Sequence, residues 1–380
     1  MAPKVTVIIP TFNRCEFLAE CLDSILAQTL PPHQTIVIND GSTDRTPEVL
    51  KPYLPRIEYL ETENRGRAAA SNEGILRASG EYIWIFDDDD VALPDALERF
   101  TDTLEKHPEY SFSFSSYYYM SSDPDENRAG CPEREFVFPD LQTRGAFLPI
   151  LEGGYINGAG LFSRAVCYKT LGLLDTSLVR SSDYEFAIRL VRHFEGIRPE
   201  GGPTFRYRQH DLDRGNKQDR FRAKERFGKW MQYDQVIFRR LYRELPLTAY
   251  LPPGCPLENH ERQAHLERLA VMGTKHLLPE ISAELQILSR LRNQASFTMA
   301  EHDIVVSMVT RSSAYLVDGM YDRMNFMDEV RHLSASPVIR KLRREIVAAI
   351  LVRLTMKRKW SDLRQVYGAF RRAVRLYFPL

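Results

Sequence analysis

Hydrophobic positions in the first 120 residues switch repeatedly between two periods. Val5 to Ile9 is a short β-branched run closed by Pro10, and Cys15 to Gln28 carries helical spacing through Phe17, Leu18, Cys21, Leu22 and Ile25. The pattern then predicts a strand at Thr35 to Asn39, a short helix at Thr46 to Leu50 and a strand at Ile57 to Leu60. A helix over Ala68 to Ala78, a strand over Tyr82 to Phe86, a helix over Pro94 to His107 and a strand over Ser111 to Tyr119 complete the series. Strands that alternate with helices and are apolar on both faces imply a Rossmann-like α/β fold. Its mixed, mainly parallel sheet is covered by helices on both sides. In such sheets a ligand sits beyond the carboxyl ends of the strands.

Residues 121 to 140 read as a polar loop. A Gly-rich stretch from Gly153 leads into a strand ending at Ser163, followed by a helix over Ser182 to Phe194 and a strand over Thr204 to Arg208. Beyond His210 the pattern becomes helical, over 221 to 245, 258 to 275, 279 to 293 and 338 to 376, with no clear strands. The expected division is an α/β domain over 1–215 and a helical region over 216–380.

Composition narrows the class. The chain has 380 residues, 43% hydrophobic and 27% charged, which suits one large or two ordinary domains and excludes a disordered tail or fibre. No apolar run approaches the roughly 20 residues needed to span a bilayer. The start MAPKVTVIIP reads as the beginning of the fold and not as a secretory leader. Five scattered cysteines without a C-x-x-C pair favour free thiols in a reducing cytoplasm over a disulfide frame or a zinc site. His260, His265 and His276 lack metal-binding spacing and read as surface residues.

Lys plus Arg and Asp plus Glu number 51 each, so the formal charge is zero. That zero is a cancellation. Residues 338–380 hold 12 Lys/Arg against 2 Asp/Glu, and the acidic excess lies in the rest. Leu342, Ile346, Ile350 and Leu354 would share one face of a basic helix. Such a helix suits an anionic membrane surface from the cytoplasmic side, packing on the acidic body, or a second copy of the chain. No nucleic-acid module accompanies it.

The strongest local signal is YIWIFDDDD, four consecutive carboxylates (Asp87, Asp88, Asp89, Asp90) at the end of an apolar strand. Packed like charges repel unless a cation offsets them, and Mg²⁺ or Mn²⁺ takes one or two carboxylates together with phosphate oxygens. The alternative is a solvated acidic turn. Other strand ends bring Pro10, Thr11, Asn13 and Arg14, then Asn39, Asp40 and Gly41, then Asn64, Arg65, Gly66 and Arg67 to the same edge. In SLVRSSDYEF, the residues Ser181, Ser182 and Asp183 stand where a helix N-cap belongs.

VTVIIPTFNR, IVINDGSTDRT, ENRGRAAASNEGI and GEYIWIFDDDD, in this order and spacing, resemble the family-two inverting glycosyltransferases of GT-A fold over about residues 4 to 210. The resemblance implies that Pro10, Thr11 and Asp40 contact the base of a nucleotide-diphosphate sugar, a UDP-sugar foremost, with Asn13, Arg14, Asn64 and Arg67 nearby. It implies that Asp87 and Asp89 form the DXD motif beside Asp88, that Asp90 is the extra acidic position, and that Arg208 faces the leaving diphosphate. A divalent cation (Mn or Mg) would be held by Asp89, Asp90 and His210. Asp183 falls where the family has the base that deprotonates the acceptor hydroxyl, and Tyr155, Asn157 and Gly158 border the acceptor. The sequence departs from the pattern at Ser71, where many relatives have Arg, so Arg67 or Arg65 is left to supply that cation. It departs again at Ser182, where relatives often have Glu. The acceptor implied is a glycan or lipid-linked glycan of a bacterial surface polysaccharide or lipopolysaccharide. A nucleotidyltransferase is the weaker reading, since PTFNRCEF has no Gly- and Lys-rich phosphate loop. A non-catalytic module keeping the same fold is the other.

Overall fold

The computed structural model describes residues 3–121 and 134–210, then 212–291 except 213, 216–218 and 222–224, and finally 298–304, 336 and 339. The basic segment 338–380, apart from residue 339, and the predicted helix within it lie outside the described residues. The chain divides into two compact units, Met1–Asp234 and Gln235–Leu380.

In the first unit, β1 (Val5–Thr11), α1 (Leu18–Leu26), β2 (Gln34–Asn39), α2 (Thr46–Leu50), β3 (Glu58–Glu61), α3 (Arg67–Arg77) and β4 (Tyr82–Ile85) alternate as predicted. They are followed by β5 (Val91–Ala92), α4 (Ala96–Lys106), β6 (Phe112–Phe114), β7 (Tyr117–Ser121), α5 (Phe147–Glu152), β8 (Leu161–Arg164) and α6 (Val166–Leu171). Then come α7 (Ser182–His193), β9 (Gly196–Ile197), β10 (Phe205–Gln209), β11 (Arg214–Gly215) and β12 (Arg220–Phe221); the helix α8 (Arg226–Glu244) starts in this unit and runs past Asp234.

Seven strands form the main sheet in the order β3-β2-β1-β4-β8-β6-β9. The four on the β3 side are parallel, and β8 runs antiparallel to both its neighbours. From β1 the chain winds outward through β2 and β3, then returns to place β4 on the other side of β1. That reversal is a topological switch point, and it opens a crevice between the carboxyl ends of β1 and β4. Thr11 and the four aspartates stand at these two ends.

β1, β2 and β4 are buried on both faces, as their apolar runs require, while the edge strand β3 is not: Val5, Val7, Ile8 and Ile9 of β1 are inaccessible, and so is Trp84 of β4. α1 packs Leu18, Cys21, Leu22 and Ile25 inward, the predicted face. Phe100 stacks on Phe162 with ring centres 5.1 Å apart, and Trp84 Nε1 donates to Ala159 O at 2.7 Å. Burial of each such side chain contributes about 1.5–3 kcal/mol.

Three predictions are corrected. The single strand expected over Ser111 to Tyr119 is two: β6 belongs to the main sheet and β7 to a second sheet, ordered β5-β10-β7. Ser115 and Ser116 between them are buried, and the Ser115 hydroxyl bonds that of Thr204, distant in the chain, at 2.5 Å where the chain passes from one sheet into the other. β1 runs through Pro10 to Thr11, because a proline needs no ladder donor where its neighbour takes none from it. Beyond His210 a short antiparallel pair, β11 and β12, precedes the helices.

The second unit contains a 3₁₀ turn at Leu247–Tyr250 and the helices α9 (Leu257–Thr274) and α10 (Leu278–Arg290). Leu266, Leu269, Ala270, Leu285 and Leu288 form its core. His265 is not on the surface: it is buried with its Nδ1 2.6 Å from Glu284 Oε2, and Arg268 and Tyr242 satisfy the other oxygen at 2.6 and 2.7 Å. A carboxylate with no solvent access demands such partners. Among the described residues no helix is long and apolar enough to cross a membrane.

Candidate active site

Four loops at the carboxyl ends of the parallel strands build the crevice. The loop after β1 takes a left-handed turn at Asn13 (φ 53°), whose Oδ1 accepts from Thr43 N at 2.7 Å and whose own N–H donates to Ser42 Oγ at 3.0 Å. These bonds tie the first strand's loop to the second's. Arg14 Nη1 donates to Asn13 O at 3.1 Å.

Asp40 ends β2 and is buried. Its two oxygens accept from Arg65 N at 2.9 Å and Gly66 N at 2.8 Å, which pulls the loop after β3 over the crevice. Burial raises its carboxyl above the ordinary range, while these N–H groups pull it back. Gly66 adopts φ 93° as the residue before α3, a conformation a side chain would strain. Asp40 N donates to Thr11 O at 2.9 Å and Pro10 pairs in register with Ile38, so Pro10, Thr11 and Asp40 stand at one edge of the sheet.

α3 then starts with Arg67, and this residue organises the centre. Its Nε and Nη2 lie 2.8 and 2.6 Å from Asp87 Oδ1, and its Nη1 lies 4.0 Å from Asp183 Oδ2. Of the two candidates for the cation missing at Ser71, Arg67 is the one that reaches the aspartates. Arg65 points away to Glu73, at 2.9 Å. Ser71 itself is buried within α3.

The four aspartates have four environments. Asp87 is bound by Arg67; burial raises its carboxyl and Arg67 opposes that rise. Asp88 is pushed up to about 7 by burial and by Asp89, with Arg14 and the Thr11 hydroxyl pulling the other way. Asp89 Oδ2 faces His210 Nε2 at 2.8 Å, both side chains being nearly inaccessible. His210 Nδ1 accepts from Leu212 N at 3.1 Å, which leaves the ring's proton on Nε2, toward Asp89. Asp90 does not stand with that pair as a third metal donor. It has no solvent access, and its Oδ1 accepts from Arg208 N at 2.9 Å, where it completes the hydrogen bonding of β10.

Arg208 is likewise engaged elsewhere than the leaving diphosphate. Its Nε donates to Asp89 O at 2.9 Å, its Nη2 pairs with Glu20, and its guanidinium lies 4.8 Å over the Phe17 ring. It holds α1, β10 and the acidic loop together. Glu20 and Phe17 were not singled out from the sequence, and a glutamate one turn into an amphipathic helix carries no signal of a partner 188 residues away.

Among the described residues no three His, Cys, Asp or Glu side chains converge on one point. Asp89 nevertheless suits a hard divalent ion, which needs only one or two protein donors when phosphate oxygens and water complete its shell. His210, expected as a ligand, has Nδ1 engaged by Leu212 N and its Nε2 proton toward Asp89, so it orients that carboxylate and offers the ion no lone pair. The raised carboxyls of the adjacent Asp87 and Asp88 are the electrostatic cost that such an ion offsets.

Across the crevice, α7 begins at Ser182 with no side-chain cap, so the N-cap reading of this segment does not hold. Asp183 keeps 43% of its side chain exposed, its Oδ1 accepts from Tyr184 N at 2.9 Å, and its Oδ2 faces Arg67. Gly158 lies against this pair: a Cβ there would stand 3.0 Å from Arg67 Nη2 and 3.3 Å from Asp183 Oδ2. Asn157 caps the turn Gly158–Gly160 by accepting from Ala159 N at 2.9 Å. Tyr155 is not on the acceptor side. It is buried against Phe114 and Phe138 and donates to Ala146 O at 3.1 Å.

Two outcomes follow from this geometry. Gly158→Ala should lower turnover about tenfold or more by displacing Arg67 from Asp183, with nucleotide affinity held within about twofold; steady-state kinetics beside calorimetry check it. Asp88→Asn should raise the melting temperature in EDTA at pH 8. Folding raises the Asp88 pKa from 3.8 to about 7, so the protonated form is favoured in the folded state. Stability from this group is present below about pH 4, is lost as pH climbs toward 7 and stays lost above it, a difference on the order of a few kcal/mol. The gain in the Asn variant should therefore shrink to nothing near pH 4.

Residues 6–171 match the family model described as glycosyl transferase family 2. The match spans less than half of the chain and makes this stretch similar to that family, whose GT-A fold it shares. An uncharacterised glycosyltransferase of Rickettsia typhi is 30% identical over 192 residues, 50% of this chain and 59% of its own length. The uncharacterised glycosyltransferase EpsJ of Bacillus subtilis is 36% identical over 145 residues, 37% of this chain and 39% of its own. The chain spans 32% to 59% of the lengths of the four Rickettsia relatives it matches at 30% identity. Among solved structures, S. aureus TarS 1–349 in complex with UDP-GlcNAc aligns with a TM-score of 0.51 at 17% identity, covering 91% of each chain.

Proposed function

We propose that the protein is an inverting glycosyltransferase that moves a sugar from a nucleotide-diphosphate sugar to a hydroxyl of a glycan or lipid-linked acceptor, in synthesis of a bacterial surface polysaccharide or lipopolysaccharide. The observation that carries this reading is the bridge Asp87–Arg67–Asp183, which sets an exposed carboxylate across one cation from the acidic loop of the switch-point crevice.

The donor's nucleotide lies along the ends of β1 and β2, beside Thr11, Asn13 and Asp40, with its diphosphate toward the acidic loop. Asp89, its carboxylate oriented by His210, would hold the divalent cation, whose charge offsets that of the diphosphate. Asp183 takes the proton from the acceptor hydroxyl. The oxygen so freed attacks the anomeric carbon from the face opposite the diphosphate, the bond to the diphosphate breaks with its electron pair, and the configuration inverts. Arg67 fixes the distance between base and donor loop, so that positioning supplies much of the effect. The Gly158 backbone leaves room for the acceptor beside Asp183.

A UDP-sugar is the first donor to test, since the TarS structure carries UDP-GlcNAc. A thermal-shift panel of UDP-, GDP- and dTDP-sugars with MnCl₂ tests the reading, because a ligand bound only by the folded state raises its stability. A manganese-dependent shift with one group of nucleotides is expected, and no shift with any of them sinks the proposal. Peripheral contact of the basic segment 338–380 with anionic lipid belongs to the same reading. Liposome flotation of the chain with and without that segment tests it.

A further inference from the structure

We propose that Phe221 together with Trp230 and Asp234 of α8, which lie beyond the residues matched by the family model, form a positioning element for Asp183 and so part of the transfer machinery. The inference rests on the reading of Asp183 as the base. Asp183 keeps 43% of its side chain exposed and faces Arg67 at 4.0 Å, so its place depends also on the backbone turn that carries it. Two residues earlier, Ser181 adopts the left-handed conformation at φ 61° and ψ 14°, which residues with side chains take up only where the surroundings enforce it. Its hydroxyl is placed to cap α7 but donates instead to Asp234 Oδ1 at 2.8 Å. One residue before that, the Arg180 guanidinium lies 5.6 Å from the centres of both the Phe221 and Trp230 rings.

Both grips on the turn therefore come from one stretch of chain, β12 and the first part of α8. On the other flank, Tyr184 donates to Ile150 O at 2.6 Å and Glu185 N donates to Ser181 O at 2.8 Å, closing the first turn of α7. The base is suspended between an anchor on α5 and a strap formed by Phe221, Trp230 and Asp234. Asp234 and Ser181 are positioning residues and reach the substrate only through Asp183.

Hydrogen exchange on the full chain, with Ser181→Ala, Asp234→Ala and Asp234→Asn variants, tests this directly. Loss of the tie should speed exchange in the peptide spanning 180–187 at least tenfold in the two Ala variants. Asp234→Asn, which keeps an acceptor oxygen, should restore wild-type exchange. The peptide spanning 85–90 and the affinity for UDP with MnCl₂ should not change. Release of nucleoside diphosphate, from UDP-GlcNAc or whichever nucleotide sugar the panel selects, should show a kcat about tenfold lower in Asp234→Ala with KM for the donor unchanged.

In an Asp183→Asn background, Asp234→Ala should lower the rate no further, since a residue acting through the base has nothing left to act on. An additive loss, or wild-type exchange and kcat in Asp234→Ala, overturns the proposal. If that variant does not fold, Ser181→Gly decides: glycine takes the left-handed turn freely and removes only the hydroxyl, so it should show the same faster exchange, and wild-type behaviour there overturns the strap. Full turnover in Asp183→Asn alone would instead refute the base, and the exchange results would still report on the strap independently.

Discussion

Asp183→Asn should reduce glycosyl transfer by about 10²–10⁴-fold, the usual contribution of a positioned general base, while leaving nucleotide affinity intact. The substitution keeps the size and the hydrogen-bonding oxygen of the side chain but abolishes its basicity. Asp183 stands at the open start of α7, and its Oδ1 contact with Tyr184 N can be kept by the amide oxygen, so the helix should retain its first turn. Arg67 loses one of its two carboxylates but remains bound by Asp87 at 2.6 Å, so the donor side of the crevice should be unaffected. Calorimetry with UDP and MnCl₂ beside a nucleotide-release assay separates the two effects. Wild-type turnover in this variant would remove Asp183 from the mechanism.

Asp89→Ala should abolish the manganese dependence of nucleotide binding. Its Oδ2 faces His210 Nε2 at 2.8 Å in a nearly inaccessible pair, so its loss takes away the oriented carboxylate fitted to the cation. Outer partners of metal ligands alone are worth about 10–100-fold in affinity, and a ligand itself should exceed that. The same change leaves the buried His210 without its partner at a cost of about 1–3 kcal/mol, so a lower melting temperature is expected as well. Asp89→Asn separates the two consequences: it can still accept from His210, which should restore most of the stability, yet as a neutral ligand it should not restore manganese affinity. UDP binding measured with and without MnCl₂ at matched protein stability is the check, and an unchanged manganese effect in both variants would refute the assignment of Asp89.

Much of the site could be read from residue order because strand ends in a parallel sheet meet at one edge. A run of apolar β-branched residues followed by Thr11, Asp40 or Asp87 announces both a strand and the position of the polar residue at its end. Arg67 was legible only as one of two candidates, since nothing local separates it from Arg65; the direction of the first turn of α3 decides between them. Tyr155, Asp90, Arg208 and His265 show the opposite case. Each has the residue type of a site or surface group, and each is turned inward by a partner distant in the chain: the aromatic cluster of Phe114 and Phe138, the backbone of β10, Glu20, and Glu284.

The sequence by itself determined the alternation of strands and helices, the edge at which chemistry gathers and the carboxylates that stand there, because periodicity and strand termini are local properties of the chain. Only the tertiary structure decided which carboxylate receives which partner. Asp87 goes to Arg67, Asp89 to His210 and Asp90 to the Arg208 backbone, although the three are near neighbours with the same side chain. It also showed that the turn bearing Asp183 is held by Asp234, some fifty residues further on. Such pairings depend on which elements the sheet order brings within about 3 Å of one another, and short hydrogen bonds are too steep in distance to be inferred from spacing along the chain.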